Sequence, residues 1–179
     1  DKTNFLIEDG LTGIVGPNGC GKSNIVESLR WVMGETSAKS MRGSGMEDVI
    51  FSGTSNKASK NIAEVTVTVA NEKNEGPVQF RELNEVNVRR KIEKDKGSKF
   101  YINDREVRAR DAQMFFADLS TGAHSPSMIS QGRIGTLVTA KPTDRRAILE
   151  EAAGISGLHV RRHEAELRLS AAENNLKRA

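Results

Sequence analysis

The sequence contains very few of the residues that mark secreted, membrane-spanning or zinc-binding proteins. It has a single cysteine, Cys20, which excludes an internal disulfide and a zinc site built from several cysteines. It carries no signal peptide and no apolar run approaching the roughly 18 residues of a membrane span. We therefore expect a cytoplasmic protein that makes no membrane contact.

Aromatic residues and a strong charge of either sign are also scarce. Aromatics are 4% and hydrophobic residues 36% of the 179 residues, which predicts one domain with an appendage and a modest, mainly aliphatic core. The net charge of +3 and pI near 9.1 permit a nucleic-acid partner without indicating one. The chain begins at Asp1 instead of Met, and we expect the natural N-terminus to lie upstream.

What the sequence does contain is a complete phosphate-binding loop. Residues 16–23 read GPNGCGKS, which matches GxxxxGK[ST] and stands between an apolar stretch at 11–15 and helical spacing at 24–33. We therefore predict a strand, a loop and a helix whose amides and dipole bind a nucleoside triphosphate. The residues assigned to the nucleotide are Gly16, Pro17, Asn18, Gly19, Cys20, Gly21, Lys22 and Ser23, and the family resemblance described below implies Asn24 as well.

Two side chains of this loop have predicted chemical roles. Lys22 would neutralise the β- and γ-phosphates, and the Ser23 hydroxyl would be one oxygen ligand of Mg²⁺. Cys20 occupies a variable position and is interpreted as a small filler. The alternative is that the glycines close a strand–helix turn that binds no ligand.

Period-two patterns predict antiparallel strands after the phosphate-loop helix. Valines alternate with polar residues at 64–69, and residues 86–92 and 99–103 predict further strands, the last followed by a turn at 103–104 before Glu106 and Val107. A long loop over 36–59 precedes them, and turns are expected at 71–76 and 96–98. The predicted fold class is α/β, with a mixed or antiparallel sheet beside the phosphate-loop helix.

The motif MFFAD at 114–118 imitates the apolar strand and acid of a Walker B motif, which holds Mg²⁺ in P-loop hydrolases. Its apolar residues follow a helical period, so we predict a helix over 111–119 instead. The chain then has a phosphate loop without a Walker B acid. Efficient hydrolysis would need that acid from elsewhere.

Gln131 is a second candidate residue near the phosphates. It lies in the segment SMISQGRIG, and an amide oxygen both ligates Mg²⁺ and orients an attacking water. The alternative is a solvated or capping glutamine.

The end of the chain predicts helices. A helix is expected over 147–153, with Thr143 as its cap, followed by a joint at 154–157. From there, heptad spacing predicts the start of a coiled coil that continues beyond the last residue, and the alternative is an ordinary amphipathic surface helix. The positions in the heptad pattern are Leu158, Arg162, Ala165, Leu169, Ala172, Leu176 and Ala179.

Five motifs in the same order resemble the N-terminal head segment of bacterial structural maintenance of chromosomes (SMC) ATPases. They are GPNGCGKSNIVESLRWVMGE, SAKSMRG, MEDVIFSG, ISQGRIG and RRAILEEAAGISG. The resemblance implies an α+β lobe of an ABC-type ATPase head at 1–153 and the start of a coiled-coil neck at 154–179. It also implies that a C-terminal lobe, distant in sequence, supplies the signature motif and Walker B.

The same resemblance implies the residue roles and the partners. Ser23 and Gln131 would hold Mg²⁺, Gln131 would place the lytic water, and Arg42 would couple DNA contact to hydrolysis, unless Arg42 is a solvated loop arginine. ATP hydrolysis would drive chromosome organisation, condensation and segregation in the nucleoid. The implied partners are the C-terminal lobe, a second SMC head, a kleisin subunit at the neck and double-stranded DNA bound without sequence preference. This chain alone is expected to be inactive or very weak.

Several interpretations remain open. The chain is also compatible with a split-head DNA-repair ATPase, a self-contained P-loop enzyme, or a coiled-coil or DNA-binding module whose nucleotide site is vestigial. A basic stretch suits non-specific DNA contact or a solvated strand face, because acidic residues are interspersed. It comprises Arg89, Arg90, Lys91, Lys94, Lys96, Lys99, Arg105, Arg108 and Arg110. Asn103-Asp104 stands where the family usually has Asn-Gly, which leaves the hairpin register open.

Overall fold

The computed structural model describes residues 2–8, 10–37, 45–71, 77–119, 128–129, 133–153 and 156–178. Helix α1 (Lys22–Val32) is followed by strands β1 (Ile62–Ala70), β2 (Glu85–Glu93), β3 (Gly97–Ile102) and β4 (Arg105–Val107). Helices α2 (Ala109–Asp118), α3 (Arg133–Thr139), α4 (Pro142–Ala152) and α5 (Ser156–Arg178) come next. Short 3-10 turns lie at Met46–Val49 and Val78–Phe80. None of the described helices is both long and apolar enough to cross a membrane.

The strands form an antiparallel sheet in the order β1-β2-β3-β4, as the period-two patterns predict. Val88 pairs with Val67 on one side and with Ile102 on the other, so these three apolar side chains lie on one face. The opposite face carries the polar members of the alternation, such as Thr66, Arg89 and Tyr101. Sheet register therefore follows directly from which residues must be buried.

The β3–β4 hairpin turns through Asn103 and Asp104 without a glycine. Ile102 pairs with Arg105, and the two residues between them have φ of 47° and 63°. Two consecutive positive φ angles are those of a type I′ turn, which Asn and Asp tolerate better than most residues. The Asn103 side-chain oxygen also accepts a 2.8 Å hydrogen bond from the backbone N–H of Asn87. The turn is thereby held in register on the neighbouring strand.

The main core lies between the inner face of the sheet and helix α2. Phe115 and Phe116 pack edge to face, with ring centroids 5.3 Å apart. Val32 at the end of α1 joins the same cluster, which also contains Val86, Val88, Phe100, Ile102 and Ala112. A second cluster places Trp31 against Ile50 and Ile92. Both clusters therefore include the last residues of α1, and the phosphate-loop helix is fixed to the sheet at that end.

The predicted helices are present, but one cap and part of one joint were wrong: α5 begins at Ser156, inside the joint expected at 154–157. Residues 109–118 are helical, so MFFAD lies on α2 and not on a Walker B strand. Residues 156–178 form one continuous helix, as the heptad spacing predicts. Thr143 is not a cap, because α4 begins one residue earlier, at Pro142. Proline suits the first turn of a helix, since the N–H it lacks would have no intrahelical partner. Helix α3 was not predicted.

The strand expected at 11–15 does not form within the described part of the chain. Residues 11–17 have no regular secondary structure and make no ladder hydrogen bonds with described residues, and Leu11 and Val15 are 98% and 92% exposed. A strand requires a neighbour that supplies backbone hydrogen bonds, and the described residues supply none here. The expected strand near residues 3–7 is absent for the same reason, and Leu6 is 83% exposed. Residues 2–8 and 10–17 thus contain apolar residues but pair with no described strand, and we call the two stretches together the unpaired segment.

Candidate nucleotide site

The loop at 16–21 depends on glycine for its curvature. Gly19 and Gly21 have φ of 82° and 91°, a left-handed conformation that costs other residues strain. At Gly16 a Cβ would lie 2.8 Å from Cys20 Sγ, so a larger residue would require the Cys20 side chain to move. The sequence thus encodes a tight turn with backbone amides on its inner side.

Helix α1 begins at Lys22, directly after this turn. Its N-cap, Gly21, makes no side-chain capping hydrogen bond, and the first turn contains no acidic residue. A helix N-terminus carries partial positive charge and amide donors that a bound anion satisfies. This end of α1 therefore has the charge and the donors that suit phosphate oxygens.

The Lys22 side chain folds back over the loop. Its Nζ donates to the carbonyl oxygens of Gly16 and Pro17, at 2.7 and 2.6 Å, and lies 3.9 Å from Cys20 Sγ. The ammonium group is thus already held on the loop. Because both contacts are exposed carbonyls, phosphate oxygens compete with them directly. The donor set of loop amides, Lys22 and the Ser23 hydroxyl fits a triphosphate with its Mg²⁺.

An apolar groove of about 620 Å³ lies between the N-terminal segment and α1. Ile25, Val26 and Leu29 of α1 form one wall, and residues of the unpaired segment form the other. Lys22 and Ser23 lie at the same groove. Exposed apolar side chains on the unpaired segment enlarge this surface. They are Phe5, Leu6, Ile7, Leu11, Ile14 and Val15.

The structure brings only part of the predicted site together. Lys22 and Ser23 are adjacent on the loop, whereas Arg42 and Gln131 lie outside the described residues. Met128 and Ile129 line the same groove as Lys22 and Ser23. Within the described residues no group of three or more His, Cys, Asp or Glu side chains forms a metal site. Mg²⁺ would therefore depend on Ser23, on the nucleotide, and on ligands from elsewhere.

The basic stretch between 89 and 110 does not form one surface. Arg89 lies on the outer sheet face, paired with Asp104 at 3.1 Å and stacked on the Tyr101 ring at 4.5 Å. Lys91 and Lys96 both pair with Glu93, whose pKa is lowered by these hydrogen bonds. Lys99 pairs with Glu106 in the same way. These contacts favour a solvated strand face over a phosphate-binding patch.

Arg90 is a residue that sequence reasoning misplaced. It is only 3% exposed and points to the inner face of the sheet, the opposite direction from Arg89. Its position in the alternation with Val86, Val88 and Ile92 was the available signal, because residues two apart on a strand share a face. A charged residue at such a position must have buried partners.

A sequence profile described as the RecF/RecN/SMC N terminal domain matches residues 1–135. The chain belongs to this family. Among its relatives, the chromosome partition protein Smc of Rhodopseudomonas palustris is 55% identical over 178 residues, which is 99% of this chain and 15% of the relative. The chain therefore spans a small part of the length of the curated relatives it matches.

Solved structures show the same fold. A structure from work on ATP-driven dimerization and DNA stimulated activation of SMC ATPases matches with a TM-score of 0.69 and 30% identity, covering 82% of this chain and 86% of that chain. The Pyrococcus furiosus Smc head with an extended coiled coil, bound to the C-terminal domain of ScpA, matches with a TM-score of 0.69 and 30% identity, covering 90% of this chain and 40% of that chain. The chain has the ABC-type fold of SMC head domains, as its motifs indicated.

Proposed function

We propose that this chain is the ATP-binding N-terminal lobe of an SMC ATPase head. The observation that carries the proposal is the glycine loop leading into the N-terminus of α1, whose N-cap Gly21 has no side chain, with the Lys22 ammonium held over the loop. In this assignment residues 1–153 form the lobe and 154–179 begin the coiled-coil neck. The protein would act in the cytoplasm, on the nucleoid.

The chain's own residues would bind and orient the nucleotide. Residues 16–24 would hold the phosphates through backbone amides, and Lys22 would exchange its carbonyl contacts for phosphate oxygens. Ser23 and Gln131 would ligate Mg²⁺, which supplies charge neutralisation at the phosphates. Gln131 would orient the attacking water, and Arg42 would stabilise the charge that develops during phosphoryl transfer.

Hydrolysis would also require a second lobe. MFFAD lies on a helix, so this chain has no Walker B strand at that point, and residues 10–17 of the unpaired segment need a partner strand. A C-terminal lobe of the same protein would add strands beside this segment and supply the missing acid. The exposed apolar groove beside α1 is the surface on which we place that contact.

The remaining partners follow from the relatives. Structures in this family describe ATP-driven head dimerization, DNA stimulation and a head bound to ScpA. We propose that two such heads associate through ATP, that a kleisin of the ScpA type binds the neck around α5, and that the assembly contacts double-stranded DNA without sequence specificity. ATP turnover would then drive chromosome organisation and segregation.

ATP turnover tests this function directly. We expect no significant hydrolysis by this chain alone and clear hydrolysis once the C-terminal lobe is added. Brisk turnover by the chain alone would instead indicate a self-contained P-loop enzyme. No ATP hydrolysis either by the chain alone or with the C-terminal lobe would indicate a vestigial nucleotide site.

Thermal melting tests the loop itself. MgATP at about 100 times its Kd should stabilise the folded chain by about 2.7 kcal/mol. Lys22→Ala should lose most of this shift because it removes the phosphate-facing charge. Equal shifts for the parent and Lys22→Ala would place the nucleotide elsewhere.

A further inference from the structure

Arg90 of β2 donates hydrogen bonds to backbone carbonyls at the C-terminal end of α1. Its Nη1 donates to the carbonyl oxygens of Trp31 and Glu35, both at 2.7 Å, and its Nε donates to Ser98 Oγ at 2.8 Å. These carbonyls belong to the turn that ends α1 and the residues just after it. One guanidinium thus joins the end of the helix to two strands of the sheet.

Aromatic rings hold this guanidinium in place. Its central carbon lies 4.6 Å from the ring centres of both Trp31 and Phe100. Burial lowers the Arg90 pKa to about 10, with Glu35 opposing the shift, so the group remains a cation at neutral pH. A buried cation stacked on two rings has little freedom to move, and the carbonyls it binds are restrained with it.

A second donor acts beside it. Gln113 of α2 donates through Nε2 to the Gly34 carbonyl at 2.7 Å. Gly34 has φ of 104°, and a Cβ there would overlap the Gln113 side chain, so the close contact requires glycine. The chain leaving α1 is therefore fixed to both the sheet and α2.

The two ends of α1 differ in how firmly they are held. The buried residues of the helix are Trp31 and Val32, both at its C-terminal end. Its N-terminal half borders the groove and follows Gly21, which has no side chain to cap the helix. The helix has 11 residues, or about 16 Å of length, so a tilt of about 5° at the held end moves the phosphate end by roughly 1.4 Å. Displacements of that size are large for positioned reacting groups.

We propose that Arg90 is a positioning residue for the nucleotide site: by holding the carbonyl end of α1 on the sheet, it sets where the loop amides and Lys22 lie. Arg90 does not touch the nucleotide. It acts through the helix, and Gln113 assists it at the neighbouring carbonyl. This inference rests on the proposed nucleotide function.

The test compares three variants of the full-length protein for binding of Mg²⁺ with the non-hydrolysable ATP analogue AMP-PNP. Arg90→Met removes all three hydrogen bonds but keeps much of the side-chain volume, while Arg90→Lys keeps the charge. Arg89→Met is the matched control, because Arg89 is adjacent on the strand but contacts only the outer face. Each Kd is measured well below the variant's own melting temperature, on folded protein.

We expect Arg90→Met to weaken AMP-PNP binding about tenfold, Arg90→Lys to restore most of the affinity, and Arg89→Met to bind like the parent. A lower melting temperature with unchanged Kd for Arg90→Met would show a purely structural role and overturn the proposal. If Arg90→Met does not fold, Gln113→Leu serves instead, with about threefold weaker binding expected and parental affinity contradicting the proposal.

Nucleotide binding by the parent protein distinguishes failure of the positioning role of Arg90 from failure of the proposed nucleotide function. If the parent fails to bind AMP-PNP, both the nucleotide function and the role of Arg90 are rejected. If the parent binds, Lys22→Ala does not, and the Arg90 and Gln113 variants bind like the parent, only the positioning role is rejected.

Discussion

Arg90 donates a 2.7 Å hydrogen bond to the carbonyl oxygen of Trp31 and lies 4.6 Å over the ring of the same residue. The backbone and the side chain of Trp31 thus contact one cation. Both contacts depend on a single placement of the guanidinium, since moving it off the ring also moves it away from the carbonyl. Trp31 is 2% exposed, so water cannot replace either contact.

Replacing Trp31 should therefore destabilise the chain strongly. We expect Trp31→Leu to lower the free energy of unfolding by about 3–5 kcal/mol, because it leaves a cavity and removes one ring from the buried cation. Trp31→Phe retains a ring and should cost roughly half as much. Denaturant unfolding followed by circular dichroism measures both. Equal losses for the two variants would mean that the aromatic contact with Arg90 contributes nothing.

Adding a side chain at Gly34 should destabilise the folded chain. Its φ of 104° is unfavourable for other residues, and a Cβ would overlap Gln113, so Gly34→Ala should cost about 1–3 kcal/mol. Gly45→Ala is the matched control, since Gly45 has φ of −141° and a Cβ added there would meet no atom within 4 Å. Thermal melting of the two variants gives the comparison. Similar melting temperatures for both would contradict the tight contact at the end of α1.

The ionisation of Arg90 should not contribute to pH dependence near neutrality. Burial lowers the pKa of Arg90 to about 10, below its ordinary value, so the unfolded chain binds more protons than the native chain only above about pH 10. Stability from this group is constant below about pH 10 and rises with pH above it. The difference in unfolding free energy between the parent and Arg90→Met should be flat from about pH 6 to 9. A slope across this range would mean that another titrating group is coupled to Arg90.

Much of this fold could be predicted from local pattern. The phosphate loop, the valine alternation of β1 and the helical period of MFFAD each reflect contacts between residues near in sequence or on one face. The prediction of a strand at 11–15 was wrong. The stretch has the apolar residues of a strand, but no described residues pair with it. A β-ladder needs hydrogen bonds between two strands, and the sequence of one strand does not show whether a second strand lies beside it.

The role of Arg90 was missed for a different reason. In the sequence it is one of several basic residues, and composition alone favours exposure for arginine. Its burial depends on carbonyls of Trp31 and Glu35, which lie 59 and 55 residues away along the chain. Only the three-dimensional contact shows that these acceptors and the two rings meet at one point. Arg42 and Gln131 stay predictions, since they lie outside the described residues.

Cys20 offers a chemical probe of the phosphate loop. It is exposed and its Sγ lies 3.9 Å from Lys22 Nζ, so a maleimide attached there should obstruct the loop. We expect alkylation to abolish ATP binding and bound MgATP to slow alkylation. Cys20→Ser should bind ATP normally and resist the reagent, because the proposed phosphate contact at this position is through the backbone amide, which the substitution keeps. Full ATP binding by the alkylated parent would contradict the placement of the nucleotide on this loop.

The unpaired segment before the loop should govern association with the C-terminal lobe. Leu11 is 98% exposed, so Leu11→Asp removes no buried contact in this chain and its melting temperature should stay close to that of the parent. If the second lobe covers this segment, the new carboxylate is buried without a partner, which should weaken association at least tenfold and reduce ATP turnover of the assembled head. Asn56→Asp, at an exposed loop position away from the groove and from α5, is the control for adding a carboxylate elsewhere. Co-purification and calorimetric titration of the two lobes measure the effect. Undiminished association of Leu11→Asp would place the lobe contact away from this segment and leave its apolar residues without a proposed partner.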